Sequence, residues 1–140
     1  MGKYPKIFPE KFVERYLRFI PDFDSFLKVM LTPLPTVFRV NTLKATPEKV
    51  LSLLSEFQPQ PLSYYADGFV ARNGEGLGKT IAHFLGLIYI QDAASMVPAL
   101  VLRPESGERV LDLTAAPGSK TTQMAAMMNN TGLIVANDIS

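Results

Sequence analysis

The sequence predicts an α/β chain in two parts, a small α+β domain over residues 1–72 and the opening of a parallel, helix-covered sheet over residues 73–140. Three observations carry this. Val110-Leu-Asp-Leu113 is an apolar run that enters a knot of small residues, Thr114-Ala-Ala-Pro-Gly118, and then a helix-like segment. A second apolar run, Leu133-Ile-Val-Ala136, ends on Asn137-Asp138, which completes a β-loop-α-β unit with an acid at the tip of its second strand. Upstream, helical and alternating segments are mixed without a regular strand–helix repeat, as in small α+β domains.

The elements follow in order. Pro9 to Ile20 is amphipathic at helical spacing, with Phe12, Val13, Tyr16, Leu17, Phe19 and Ile20 as its apolar stripe. Lys11, Arg15 and Arg18 share another face, either as a solvated surface or as a row for nucleic-acid phosphates. Asp22 or Asp24 caps a second helix, Ser25 to Leu31, which Thr32-Pro-Leu-Pro35 breaks. Thr36 to Thr42 alternates and is β-branched, so it is a strand. Thr46 caps a helix running to Leu54 or Phe57, with Pro47 in its first turn and Pro59 and Pro61 ending it. Leu62 to Tyr65 and Gly68 to Arg72 form a strand pair around Asp67-Gly68.

Asn73-Gly-Glu-Gly-Leu-Gly-Lys-Thr80 imitates a phosphate-binding P-loop, but Asn73 stands where the first glycine belongs. It is read as a connector between the two parts. Ile81 to Leu85 is a short helical turn and Leu87 to Ile90 a strand. Asp92 or Ser95 opens a helix, Ala93 to Leu102, in which Pro98 is tolerable only near the first turn. Arg109 to Leu113 is the next strand and Ser119 to Met128 the next helix. On that helix Met124, Met127 and Met128 are read as packing against the sheet.

Composition narrows the function. The chain is 47% apolar and 19% charged with net charge +1, and its first 60 residues hold nine Lys/Arg against six Asp/Glu. No cysteine is present, which excludes disulfides, thiolate metal sites and a cysteine nucleophile among these residues, and one histidine argues against a metal centre. Met1 to Lys6 has no signal-type apolar core. Thr80 to Leu102 is long and apolar enough to test as a membrane span, but Asp92 at its middle costs roughly 2.5–3.5 kcal/mol there. A cytoplasmic protein with no membrane and no metal is expected.

The β-loop-α-β unit carries the chemistry. Small side chains let a ligand approach the backbone, Gly118 can take angles closed to other residues, and the free amides of the helix start attract an anion. Lys120 adds charge at the same end, and Asp138 suits the two hydroxyls of a ribose. The dinucleotide glycines are absent, since the register is Ala116-Pro-Gly118-Ser-Lys-Thr121. A smaller anionic group on a nucleoside fits better, and S-adenosylmethionine has that form.

Asp112-Leu-Thr-Ala-Ala-Pro-Gly-Ser-Lys-Thr-Thr122 resembles the cofactor loop of the Nol1/Nop2/Sun RNA (cytosine-5)-methyltransferases. Arg39-Val-Asn-Thr-Leu-Lys44, Gly86-Leu-Ile-Tyr-Ile-Gln-Asp-Ala-Ala-Ser-Met96 and Ala136-Asn-Asp-Ile-Ser140 match in the same order around it. The resemblance implies a small RNA-binding domain of ferredoxin-like or RRM-like shape, followed by the beginning of a Rossmann-like S-adenosylmethionine methyltransferase domain. It implies tRNA or rRNA as partner, Thr114, Ala115, Ala116, Pro117, Gly118, Ser119 and Lys120 around the methionine end of the cofactor, and Asp138 on the ribose. Arg39 and Asn41 match an Arg-x-Asn segment with an RNA-facing or interdomain role.

Thr114 stands where the family often has Cys and Ser119 where it usually has Gly, and neither position carries the nucleophile. The family's reaction needs a cysteine thiolate to add to the cytosine ring, and its motifs lie past Ser140. The chain is therefore expected to be the N-terminal portion of a longer enzyme and to be inactive alone, with no catalytic residue of its own. A non-catalytic RNA-binding or assembly module with the same loop, and a P-loop nucleotide-binding protein using Gly78-Lys79-Thr80, are the competing readings.

Overall fold

A computed structural model describes residues 7–139; the Met1–Lys6 start and Ser140 lie outside the described residues. The chain divides into two compact units, one ending at Leu34 and one beginning at Pro35. In the first, α1 (Glu10–Leu17) and α2 (Phe23–Leu31) are joined by a short turn. Asp22 caps α2 by accepting the Ser25 amide at 3.1 Å. Stacked and tilted rings of Phe8, Phe12, Tyr16, Phe23 and Phe26 hold the pair together, with Phe23 and Leu27 buried.

The second unit opens with β1 (Thr36–Val40), α3 (Pro47–Leu53), β2 (Pro59–Leu62), β3 (Tyr65–Ala71), α4 (Ile81–Phe84) and β4 (Ile88–Ile90). The strands form one sheet in the order β2-β3-β1-β4, with every neighbouring pair antiparallel. This βαββαβ topology is the ferredoxin-like arrangement expected from the resemblance. Strand alternation gives the sheet two apolar faces. Phe38, Val40, Phe69, Ala71 and Ile88 pack with Val50, Leu54 and Phe57 below α3 and with Leu77 and Ala82 beside α4. Val37 and Tyr65 face the other way, onto Met96.

Met96 belongs to α5 (Ala93–Leu102), which Asp92 caps by accepting the Ala94 amide at 2.8 Å. The strand β5 (Arg109–Asp112), the helix α6 (Ser119–Met127) and the strand β6 (Leu133–Ala136) follow. β5 and β6 are parallel, in register Arg109↔Leu133 to Asp112↔Ala136. Together they make the β-loop-α-β unit that the sequence predicts. Met124 and Met128 of its helical segment are buried.

Four details differ from the sequence expectations. The four-stranded sheet takes its last strand from residues 88–90, so it does not close within residues 1–72. The hairpin turns at Ser63-Tyr64, leaving Asp67 and Gly68 inside β3. Pro59 and Pro61 lie in β2, an edge strand, where a missing N–H costs no ladder bond on the open side. Pro98 sits at the sixth position of α5, past the first turn, so one interior helix bond is absent. Among the described residues no helix is long and apolar enough to cross a membrane, and no group of three or more His, Cys, Asp or Glu side chains is placed to hold a metal ion.

Candidate cofactor-binding site

The loop between β5 and α6 is shaped by carboxylates at the tips of both strands. Asp112 is buried, and its Oδ1 accepts the Thr114 amide at 3.1 Å while its Oδ2 accepts the Thr121 hydroxyl at 2.6 Å. Asp138 accepts the Ala116 amide at 2.8 Å and the Ile139 amide at 2.7 Å. Ala115 donates to the Asn137 carbonyl at 3.0 Å and Asn137 to the Asp112 carbonyl at 2.8 Å, so strand pairing continues into the loop. Thr114 to Lys120 and Asp138 are thus brought together as the sequence places them.

Gly118 ends the loop with φ +105, where an L side chain is strained, and serves as N-cap of α6 without a capping side chain. The amides of Ser119 and Lys120 consequently find no acceptor among the described residues. Thr114, Ala116 and Pro117 are exposed and Lys120 is half-buried. The result is an open cradle of small side chains, two unclaimed N–H donors, the positive end of a helix dipole and a nearby carboxylate.

A buried polar network lies beneath it; the sequence singled out its Arg39, with an RNA-facing or interdomain role, but not Gln91 or Gln123. Arg39 is 1% exposed. Its Nε donates to Gln91 Oε1 at 2.9 Å, and its Nη2 donates to the Ser119 carbonyl at 3.1 Å and to Thr122 Oγ1 at 2.6 Å. Gln91 Nε2 donates to Gln123 Oε1 and to the Ser95 carbonyl, both at 3.1 Å, and Gln123 Nε2 donates to the Met96 carbonyl at 3.1 Å. Arg39 carries only donors, so every amide in this chain has a fixed orientation. The guanidinium also lies 5.1 Å from the Tyr89 ring centroid, and the Tyr89 hydroxyl donates to the Pro117 carbonyl at 3.3 Å. Burial lowers the pKa of Arg39, and Tyr65, Tyr89 and Asp67 oppose that shift. Burial raises the pKa of Asp67, and Arg39 partly offsets it.

Arg39 is therefore an internal tie between β1 and α6, with no guanidinium face for RNA. Asn41 is half-buried and likewise engaged, donating to the Gly86 carbonyl at 3.0 Å and accepting the Leu43 amide at 3.3 Å. The sheet face used for RNA by open four-stranded domains is here covered by α5 and by the start of α6. Lys11, Arg15 and Arg18 are all exposed. The Gly78-Lys79-Thr80 segment is a 3-10 turn leading to a four-residue helix, Ile81–Phe84, and its Thr80 hydroxyl is occupied by the Leu77 carbonyl at 2.8 Å.

The N-terminal domain model of 16S rRNA methyltransferase RsmF matches residues 8–93, and the 16S rRNA methyltransferase RsmB/F model matches residues 99–140. The chain belongs to this branch of the Nol1/Nop2/Sun family. The family's two models meet between residues 93 and 99, just after β4 completes the antiparallel sheet. A ribosomal RNA small subunit methyltransferase F of Enterobacter sp. (strain 638) is 42% identical over 151 residues, covering 100% of this chain and 32% of that protein. A tRNA (cytosine(49)-C(5))-methyltransferase of Pyrococcus abyssi is 42% identical over 132 residues, covering 92% of this chain and 42% of its own length. A crystal structure of a methyltransferase homolog protein from Pyrococcus horikoshii superposes with a TM-score of 0.80 at 36% identity, over 95% of this chain and 45% of that one. The chain thus spans about a third of the length of the bacterial relative.

Proposed function

We propose that these residues bind S-adenosylmethionine and engage RNA within an RNA (cytosine-5)-methyltransferase acting on rRNA or tRNA. The observation that carries this reading is the open loop Thr114–Lys120, with the Ser119 and Lys120 amides unclaimed and the Asp138 carboxylate at the neighbouring strand end. The residues fit the group. The two amides and Lys120 suit the carboxylate of the methionine end. Asp138 stands at the end of the second strand beside the loop, where a carboxylate suits ribose hydroxyls. When bound, the cofactor supplies an electrophilic methyl group.

The work of this chain's own residues is to bind and orient. With no cysteine among the 140 residues, they do not supply the thiolate that adds to cytosine. The exposure of Lys11, Arg15 and Arg18 supports their use as an RNA-engaging row.

Calorimetric titration of the full-length protein tests the cofactor. S-adenosylhomocysteine is expected to bind and ATP is not, because the Asn73–Thr80 segment lacks the first P-loop glycine. Asp138→Ala is expected to weaken S-adenosylhomocysteine by at least about tenfold. An unchanged affinity would remove Asp138 from the site.

A further inference from the structure

We propose that Arg39 is a positioning residue for the cofactor loop, holding the first turn of α6 so that its free amides face the anionic end of the ligand. The proposal rests on the S-adenosylmethionine reading above and adds to it a residue whose partners in sequence lie far away. Two carbonyls at the loop end, those of Pro117 and Ser119, are held by side chains of the antiparallel sheet, and the Gly118 carbonyl between them is reached through Thr122 of α6. Pro117 accepts from the Tyr89 hydroxyl at 3.3 Å and Ser119 from Arg39 Nη2 at 3.1 Å. Gly118 accepts from the Thr122 hydroxyl at 2.6 Å, and that hydroxyl in turn accepts from Arg39 Nη2 at 2.6 Å.

In a trans peptide the C=O and N–H point in opposite directions. The N–H of Ser119 shares its peptide with the Gly118 carbonyl, and the N–H of Lys120 shares its peptide with the Ser119 carbonyl. Fixing the Ser119 carbonyl on Arg39, and the Gly118 carbonyl on the Thr122 hydroxyl that Arg39 holds, therefore aims both unclaimed amides away from that side. Gly118 at φ +105 has no Cβ to limit rotation there, so the loop needs an external hold. A buried guanidinium with neutral hydrogen-bond partners is a poor source of net stability. Its fixed donor fork suits orientation instead.

The test uses the full-length protein, two ligands and the exposed Thr122. S-adenosylhomocysteine carries the amino-acid carboxylate; 5′-methylthioadenosine keeps the nucleoside and thioether without it. Thr122→Val is expected to weaken S-adenosylhomocysteine about fivefold and Arg39→Met by more than about tenfold, with methylthioadenosine unchanged for both. Thr122→Ser, which keeps the hydroxyl, is expected to restore wild-type affinity. In the double variant the Thr122 loss should disappear, because both changes break one chain of bonds. If Arg39→Met does not fold, the Thr122 pair still decides. Equal losses for both ligands, or no loss for either in Thr122→Val, would overturn the positioning role while leaving the cofactor reading intact. A wild-type protein that binds methylthioadenosine and not S-adenosylhomocysteine, or binds neither, would overturn the cofactor reading itself.

Discussion

Asp112 and Asp138 show how single carboxylates give a loop of alanines a definite shape. Thr114-Ala-Ala-Pro-Gly118 has almost no side-chain chemistry of its own, so its path is set by acceptors at the two strand tips. Asp138 was legible in the sequence as the acid ending an apolar run, while Asp112 was passed over because it lies inside one. Arg39 was legible only as part of a motif. Its partners Gln91, Ser119 and Thr122 are 52, 80 and 83 residues away, beyond any local pattern. Burial raises the pKa of Asp67 above the ordinary 3.8. Below 3.8 folded and unfolded chains both hold the proton; as pH rises, the unfolded chain releases it first and stability falls until the folded value is passed. Asp67→Asn should lack that fall. Thermal melts of the two proteins should agree best in acid and diverge toward neutral pH in favour of the variant.

At the scale of elements, the sequence located strands and helices where periodicity or capping was strong. β5, α6 and β6 came out nearly to the residue, because an apolar run, a small-residue loop ending on glycine and a second apolar run leave little freedom. The hairpin β2–β3 did not. Its two prolines argue against a strand until one knows that β2 is an edge, and edge position is a property of the sheet. Asp67-Gly68 has the composition of a turn but sits mid-strand, with Arg39 opposite Gly68 in the register. Changing Lys11, Arg15 and Arg18 together to Ala removes three exposed cations. If they meet phosphates, the logarithmic salt dependence of RNA binding should flatten by about two units for single strands. A filter-binding series at increasing salt measures it, and an unchanged slope would return the row to solvated surface.

Across the whole molecule, the two faces of the antiparallel sheet have different employers. One holds α3 and α4 in an ordinary small-domain core; the other is committed to α5 and α6. No local sequence signal announces this covering. The β5–β6 layer presents Leu111 at 60% and Val135 at 50% exposure as register partners, with Leu113 at 62% just past β5. A polypeptide of these 140 residues alone should therefore enhance the fluorescence of anilinonaphthalene sulfonate, and Leu111→Ser with Val135→Ser should reduce that signal. Equal fluorescence in both would place the dye elsewhere.

The orientation of the amides beneath the loop has a consequence for which neighbours can change. Gln91 and Gln123 each present one acceptor and one donor, and Arg39 decides which way round both stand. Glutamate at position 91 would satisfy Arg39 but offer no donor to Gln123. Gln123 would then have to turn over, and its oxygen would meet the Met96 carbonyl, oxygen against oxygen. A one-atom change beside β4 would thus be felt at the start of α5. Positions 39, 91 and 123 are thus coupled by the direction of their hydrogen bonds, and a change at one alters what the other two must supply.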